Sequence, residues 1–309
     1  MIKLSIIIPA YNEEANIAKL HQEILETCQS NGYDYEVIIV DDGSSDQTVE
    51  IVKSLSPVKL IRFRKNFGQT AAMDAGIKAA KNEYLITMDG DGQNDPLDMP
   101  KLIKYLEANN FDAVSGWRKN RRDSFFKKLA SRGADSLRKF LINDQIHDSG
   151  CTLKVYKKEC FNKLSLYGEM HRFIPAILAI KGFKIGELAI NHRPRTAGKT
   201  KYNWKRIVKG LIDLISVWFW SKYAVRPLHL LGGLGIFLSL IGGVFSLVVL
   251  YIFLRGGDLS NTILPLLSIF FLIMGVQLFI LGLIADVNSK NYHESLKIKP
   301  YSIKEIIKN

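Results

Sequence analysis

Two aspartates one residue apart, Asp89 and Asp91, stand in Met88–Gln93, "MDGDGQ", at the end of an apolar run. Like charges so placed repel, and clustering them is costly unless a cation compensates. Hard divalent ions such as Mg²⁺ and Mn²⁺ take oxygen ligands and commonly hold phosphates as well. On an extended chain both carboxylates would face one ion, and Gly90 and Gly92 would leave room for a diphosphate to approach. A bare D-x-D is a weak signal by itself. Here it has companions: Glu13 follows "SIIIPAYN", and Asp41, Asp42 and Asp46 lie in "VDDGSSD".

Such groups act together only if the fold converges them. "KLSIIIP" is a nearly continuous apolar run, as in a strand buried on both faces. Helical periodicity follows in "NEEANIAKLHQEILETCQS", then a strand pattern in "YEVIIV" that ends in carboxylates. "DQTVEIVKSL" reads as helix, "VKLIRF" as strand, "GQTAAMDAGIKAA" as helix and "EYLITMDGD" as a fourth strand. Strands alternating with helices predict an α/β domain with a mostly parallel open sheet. Ligands of such sheets bind at the carboxyl ends of the strands. Pro9–Glu13, Asp41–Asp46 and Asp89–Gln93 would all lie on that rim.

The chain carries a net charge of +12 over 309 residues, which suits an anionic partner. Cys28, Cys151 and Cys160 form no C-x-x-C pair and fit reduced thiols. The N-terminus lacks the long apolar run and cleavage site of a signal peptide. After Arg226 the composition changes. Leu228–Leu254 and Thr262–Ala285 contain no Asp, Glu, Lys or Arg, and each exceeds the ~20 residues that span a bilayer. Their glycines fit either close helix approach or lipid-facing positions. Lys205, Arg206, Lys209, Lys222 and Arg226 precede the spans, and Lys290, Lys297, Lys299, Lys304 and Lys308 follow them. That bias places both termini in the cytoplasm. Between domain and spans, Trp204–Tyr223 has helical apolar spacing, three tryptophans and basic ends, which suits a helix in the membrane interface. The expected organisation is a cytoplasmic catalytic domain over 1–202, an amphipathic juxtamembrane helix over 203–227, two transmembrane helices over 228–285 and a cytoplasmic tail over 286–309.

Several stretches in order, "SIIIPAYNEE", "VDDGSSDQT", "NFGQTAAMDAGIKAA", "MDGDGQNDP", "HDSGCTLKVY", "MHRFIPAIL" and "HRPRTAGKTKY", carry a wider resemblance. Together they resemble family 2 glycosyltransferases with a GT-A type domain. They look most like the polyprenyl-phosphate hexose synthases, the group of dolichyl-phosphate mannose synthase and its bacterial relatives with two C-terminal spans. The resemblance implies inverting transfer of a hexose from a nucleotide sugar to polyprenyl phosphate at the cytoplasmic membrane, with Mg²⁺ or Mn²⁺ as cofactor. It implies that Pro9, Tyr11 and Glu13 line the nucleotide pocket with Asp41 or Asp42. Asp89, Asp91 and Gln93 would hold the metal, with Asp91 and Asp148 as catalytic residues. Asp148 would act either as a base or as an orienting group, because a polyprenyl phosphate is already ionised and needs little help to attack. Arg118 and Arg132 would meet the lipid phosphate through their forked donors, and Arg195, Lys199 and Lys201 the donor diphosphate. His171 and Arg172 would be site residues or helix caps. Relatives with short anchors imply a homo-oligomer in contact with membrane lipids.

A bacterial chain favours a UDP-hexose such as UDP-glucose. GDP-mannose and a UDP-N-acetylhexosamine remain open as donors. A processive polysaccharide synthase would carry a Q-x-x-R-W motif and more spans, and no such motif occurs. A non-catalytic membrane scaffold would not need Asp89 and Asp91. No nucleic-acid recognition motif is present to explain the basic charge.

Overall fold

The computed structural model of the protein describes residues 1–119, 146–162, 164, 166, 168–194, 215, 218–219, 222–223, 226–260 and 262–295. Arg132, Arg195, Lys199, Lys201 and most of the expected interfacial helix lie outside them. The chain forms two compact units, Met1–Val217 and Trp218–Asn309.

The first unit is built on Lys3–Ala10 (β1), whose Leu4, Ile6, Ile7 and Ile8 are fully buried. Burying each such side chain contributes roughly 1.5–3 kcal/mol, and an apolar run on both faces of a strand requires cover on both sides. Asp34–Asp41 (β2) pairs parallel to β1, with Lys3 opposite Asp34 and Ala10 opposite Asp41. Lys59–Arg62 (β3) lies parallel to β2, and Tyr84–Thr87 (β4) parallel to β1 on its other side. Ala113–Trp117 (β5), Lys154–Lys157 (β6) and Ile185–Ala189 (β7) complete the order β3-β2-β1-β4-β6-β5-β7. Only β6 runs antiparallel, to both β4 and β5, so the sheet is mostly parallel.

Period-two alternation sorts the apolar side chains into two layers. Leu4, Ile6, Ile8, Val37 and Ile39 pack under Ile17–Ser30 (α1) and Met99–Ala108 (α4). Ile7, Ile38, Val40, Leu85 and Tyr156 pack under Gln69–Ala79 (α3) and Ile174–Ile180 (α5). Thr48–Ser54 (α2) links β2 to β3. The chain lays down β1, β2 and β3 outward and then returns to place β4 beside β1. The crevice at that reversal, outside the carboxyl ends of β1 and β4, is where open α/β sheets bind ligands.

The expected fourth strand is shorter than its apolar run suggests. β4 stops at Thr87, and Gly90–Asp91 form a turn. The two aspartates therefore meet around a turn and not along an extended chain.

In the second unit Pro227–Leu254 (α6) and Leu264–Ser295 (α7) pack against each other. Small residues let the backbones touch. A Cβ on Gly235 would lie 2.6 Å from the Gly275 carbonyl oxygen, and one on Gly242 2.8 Å from the Leu272 nitrogen. Gly233 and Gly243 meet nothing and face outward, so the glycines divide between the two uses their sequence left open. The Ser246 and Ser268 hydroxyls bond across the pair at 2.6 Å. The outer faces present Leu247, Phe253 and Leu266, each about two-thirds exposed or more. Both helices are long and apolar enough to cross a membrane. α7 continues past Ala285 to Ser295, where Lys290 pairs with Asp286 at helical spacing.

Gly43 shows how tightly the rim loops are set. Its φ is +74°, and a Cβ there would fall 2.6 Å from the Lys65 carbonyl carbon. Gly43→Ala is expected to destabilise the first unit by roughly 1–3 kcal/mol, through left-handed strain plus backbone overlap. A thermal melt of the purified full chain reads this directly, and an unchanged Tm would contradict it.

Candidate active site

The rim is assembled from loops that brace one another. Asn12, at φ 56°, donates its backbone N–H to Ser44 Oγ at 2.9 Å, and its side-chain oxygen accepts from Ser45 N at 2.9 Å. Glu13 N donates to Thr48 Oγ1 at 2.8 Å, and Gln47 N to Glu14 Oε2 at 2.9 Å. The loop after β1 is thus stapled to the loop after β2. Pro9 is buried, and Tyr11 and Glu13 are half-buried.

Asp41 and Asp42 have identifiable structural duties. Asp41 is fully buried and accepts from Ser44 N at 3.2 Å, shaping the turn. Asp42 accepts from Phe67 N at 2.7 Å and Gly68 N at 2.9 Å, which fixes the start of α3. There Gln69, the first residue of α3, donates to Asp89 Oδ1 at 2.6 Å. A continuous chain of bonds therefore runs from the β2 acids to the aspartate pair.

Gly90 has a reason different from the one its sequence suggests. A Cβ there would lie 3.3 Å from the Pro9 carbonyl oxygen and 3.5 Å from Glu13 Cγ. The missing side chain lets the β4 turn close on the β1 loop. Gly92, at φ +70°, turns the chain with open space around it. Gln93 N donates to Asp91 Oδ1 at 3.1 Å, and the Gln93 carbonyl accepts from Arg193 N at 2.9 Å. Asn94 bridges to His192, and Arg193 pairs with Glu23 at 2.6 Å and Asp95 at 2.8 Å. The start of "HRPRTAGKTKY" is thereby anchored to the Gln93–Asp95 segment that follows the acidic turn. Arg193 serves this anchor, while Arg195, Lys199 and Lys201 fall outside the described residues.

Burial first, and the neighbouring charge of Asp91 second, raise the Asp89 carboxyl to about 6. A bond from Thr152 and the charges of Arg118 and Lys154 act in the opposite direction. Two carboxylates that repel at one turn are a fitting pair for a cation. Mg²⁺-type sites commonly use only one or two carboxylates, with water and substrate phosphate supplying the rest. Among the described residues no group of three or more His, Cys, Asp or Glu comes together as a metal cluster; Asp89 and Asp91, with Gln93 next in the turn, have the oxygen-donor chemistry that a Mg²⁺-type site would use.

Asp148 and Arg118 converge as a pair. Arg118 Nε donates to Asp148 Oδ2 at 2.7 Å, Nη2 to Oδ1 at 2.9 Å and the backbone N to Oδ2 at 3.2 Å. Burial works against the Arg118 charge, but the bonds and charge of Asp148 outweigh it and hold the guanidinium above its ordinary range. Two oxygens of Asp148 are committed to this fork, an arrangement that suits orientation better than proton abstraction. The turn around Asp148 is clamped in place. Glu187 on β7 accepts from His147 N at 2.9 Å and Asp148 N at 3.0 Å, and Trp117 on β5 stacks on His147 at 4.7 Å. A Cβ on Gly150 would sit 3.3 Å from Arg118 Nη2, so the glycine admits the guanidinium. His171 is buried and bonds Thr70 at 2.7 Å, which ties α3 to the segment before α5.

Several of these residues carried no assigned role in the sequence reading: Gln69, Trp117, Thr152, Lys154 and Glu187. Lys154 had a legible signal, a charge between Leu153 and Val155 in an apolar strand. Glu187 had none, because its partner lies 40 residues away. The cysteines are free and buried, with thiols pushed up to about 12 for Cys28 and Cys160 and about 11 for Cys151.

A mostly parallel sheet with this order, with an acidic turn at its reversal, is an α/β fold of GT-A type. The Glycosyl transferase family 2 model matches residues 5–165, and the chain belongs to that family. It is 35% identical over 317 residues to a dodecaprenyl-phosphate galacturonate synthase of Rhizobium johnstonii, covering 99% of this chain and 93% of the relative. It is 31% identical over 316 residues to an undecaprenyl-phosphate 4-deoxy-4-formamido-L-arabinose transferase of Aeromonas hydrophila, covering 100% and 95%. Among solved structures, glucosyl-3-phosphoglycerate synthase from Mycobacterium tuberculosis, in complex with Mn²⁺ and uridine-diphosphate-glucose, shares the fold. Its TM-score is 0.55 at 18% identity, over 70% of this chain and 79% of that one.

The buried Arg118–Asp148 pair gives a stability prediction. Arg118→Met leaves a buried carboxylate without its guanidinium and is expected to cost about 3–5 kcal/mol, and the Arg118→Met/Asp148→Leu double variant less than the sum of the singles. Thermal or denaturant unfolding of the three variants checks it. Additive losses would show that the two side chains are not coupled.

Proposed function

We propose that the protein transfers one sugar from a UDP-hexose to polyprenyl phosphate, with inversion at the anomeric carbon. The observation that carries this reading is the convergence of the Asp89–Asp91 turn, the β1 loop and the Arg118–Asp148 pair within one rim. The relatives' names support the acceptor, since both denote enzymes of a polyprenyl phosphate. The two apolar helices support a membrane anchor, with the first unit and both termini in the cytoplasm by the lysine and arginine bias.

In this reading the nucleotide rests on Pro9, Tyr11 and Glu13, over loops that Asp41 and Asp42 hold in shape. Asp89, Asp91 and Gln93 would hold a divalent ion, Mg²⁺ or Mn²⁺. When bound, that ion supplies positive charge to offset the leaving diphosphate. An acceptor phosphate oxygen forms the new bond to the anomeric carbon as the bond to the diphosphate oxygen breaks, and UDP leaves with that electron pair. The acceptor oxygen is already ionised, so no residue need remove its proton. Arg118, with Arg132, orients the acceptor phosphate. Asp148 aligns Arg118 and the sugar. Arg195, Lys199 and Lys201 contact the donor diphosphate. UDP-glucose is the favoured donor, with GDP-mannose and a UDP-N-acetylhexosamine as alternatives; the relatives' names carry a galacturonate and a 4-deoxy-4-formamido-L-arabinose, so uronic acids and amino-pentoses belong in the donor panel. The chain acts as a homo-oligomer.

The test is transfer to undecaprenyl phosphate by the purified full chain, with a panel of UDP- and GDP-sugars that includes the uronic acids and amino-pentoses. Transfer from one donor is expected, abolished by EDTA and reduced about 10²-fold or more in Asp91→Ala. Equal transfer with and without EDTA would remove the metal from the reading, and no transfer from any donor would count against the reaction.

The raised Asp89 carboxyl adds a pH prediction. Its bound proton competes with a cation, so divalent binding should weaken as pH falls through about 6, with release of a proton on binding. Calorimetry with Mn²⁺ and UDP in buffers of different ionisation enthalpy measures the proton count. Binding that is flat across that range would contradict it.

A further inference from the structure

Lys154 is a charged residue in the interior of the sheet. It begins β6, directly opposite Thr87 of β4 and Ser115 of β5, and is 2% exposed. Its side chain lies on the face that carries Leu85 and Tyr156, at the end nearest the rim. An ammonium has three donors. Among the described residues Lys154 makes one hydrogen bond, to the Ser149 carbonyl at 3.2 Å, and no ion pair. Ser149 sits between Asp148 and Gly150, in the turn that meets Arg118.

A buried ammonium is expensive unless anions surround it. Burial lowers the Lys154 ammonium from its ordinary range and the charge of Arg118 acts the same way, while Asp148 and Asp89 act to raise it. Asp89 in turn feels Lys154 and Arg118. Among the described residues, Asp89 and Asp148 thus act together with Arg118 and Lys154 at this end of the sheet. Arg118 is locked onto Asp148 in a fork, whereas Lys154 is committed to no single carboxylate.

We propose that Lys154 is the internal counter-ion of the rim, a positioning residue that holds the Asp148–Gly150 turn through the Ser149 carbonyl and weakens the Asp89–Asp91 site for its divalent cation. This rests on the proposed metal-assisted transfer. It assigns Lys154 no contact with substrate. Its charge offsets part of the aspartate field, so the cation binds firmly only when the donor diphosphate adds its own negative charge. Coulomb repulsion between an ammonium and a divalent ion inside a protein is large enough to shift affinity measurably.

The experiment is Mn²⁺ binding to the full-length protein with UDP present, followed by the paramagnetic signal of free Mn²⁺, at about pH 8 so that carboxylates are ionised. Wild type, Asp91→Ala, Lys154→Met, Lys154→Gln and Lys154→Arg are compared, with transfer rates alongside. Lys154→Met and Lys154→Gln are expected to bind Mn²⁺ about tenfold tighter than wild type while transferring sugar more slowly. Lys154→Arg keeps the charge and should stay near the wild-type affinity. Glutamine retains a donor for the Ser149 carbonyl, so it carries the test if the methionine variant does not fold. Unchanged or weaker Mn²⁺ binding in a folded neutral variant would overturn the proposal. Wild type that binds no Mn²⁺, or Asp91→Ala that binds like wild type, would instead overturn the metal reading on which it rests.

Discussion

Repulsion among carboxylates at the carboxyl ends of the central strands is the constraint around which the first unit is arranged. A parallel sheet delivers the ends of β1, β2 and β4 to one edge, and this chain loads each of them with acid. The acids are tolerated because most are committed. Asp41 and Asp42 are satisfied by backbone N–H groups, and Asp148 by a guanidinium. Asp89 accepts from Gln69, and burial with the charge of Asp91 still raises its carboxyl to about 6.

The same bonds that satisfy the acids also connect the loops. Asp42 fixes the backbone before α3, and α3 presents Gln69 to Asp89. Glu187 holds the Asp148 turn, and Asp148 holds Arg118. Arg193 and His192 tie the segment that leads to Arg195 onto the Gln93–Asn94 backbone. Preorganisation of this kind places charge before substrate arrives, which is how binding energy is conserved for the reacting state. The cost is paid in buried polar groups, and the two apolar layers of the sheet are large enough to bear it.

The α6–α7 pair follows different physics. Between two apolar helices there is little hydrophobic drive in a lipid setting, so contact depends on close backbone approach and on hydroxyl bonds. Gly235, Gly242 and Gly275 supply the first, and Ser246 with Ser268 the second. The outward side chains need no partner beyond an apolar solvent.

The sequence by itself determined the class of fold, the strands that carry the rim, the acidic turn and the two apolar helices. Those features are written in local patterns: an unbroken apolar run, a period of 3.6 or 2, a D-x-D after a strand. Only the tertiary structure decided what each charged residue does. Asp41 and Asp42 shape backbone, Asp148 is paired with Arg118, and Arg193 is an anchor, because their partners lie 3 to 170 residues away along the chain. Tertiary packing also replaced the expected extended Asp89–Asp91 segment with a turn, since Gly90 had to close against Pro9 and Glu13. Local pattern reports how a segment folds, but a carboxylate's role depends on the charges and donors that other segments bring to it.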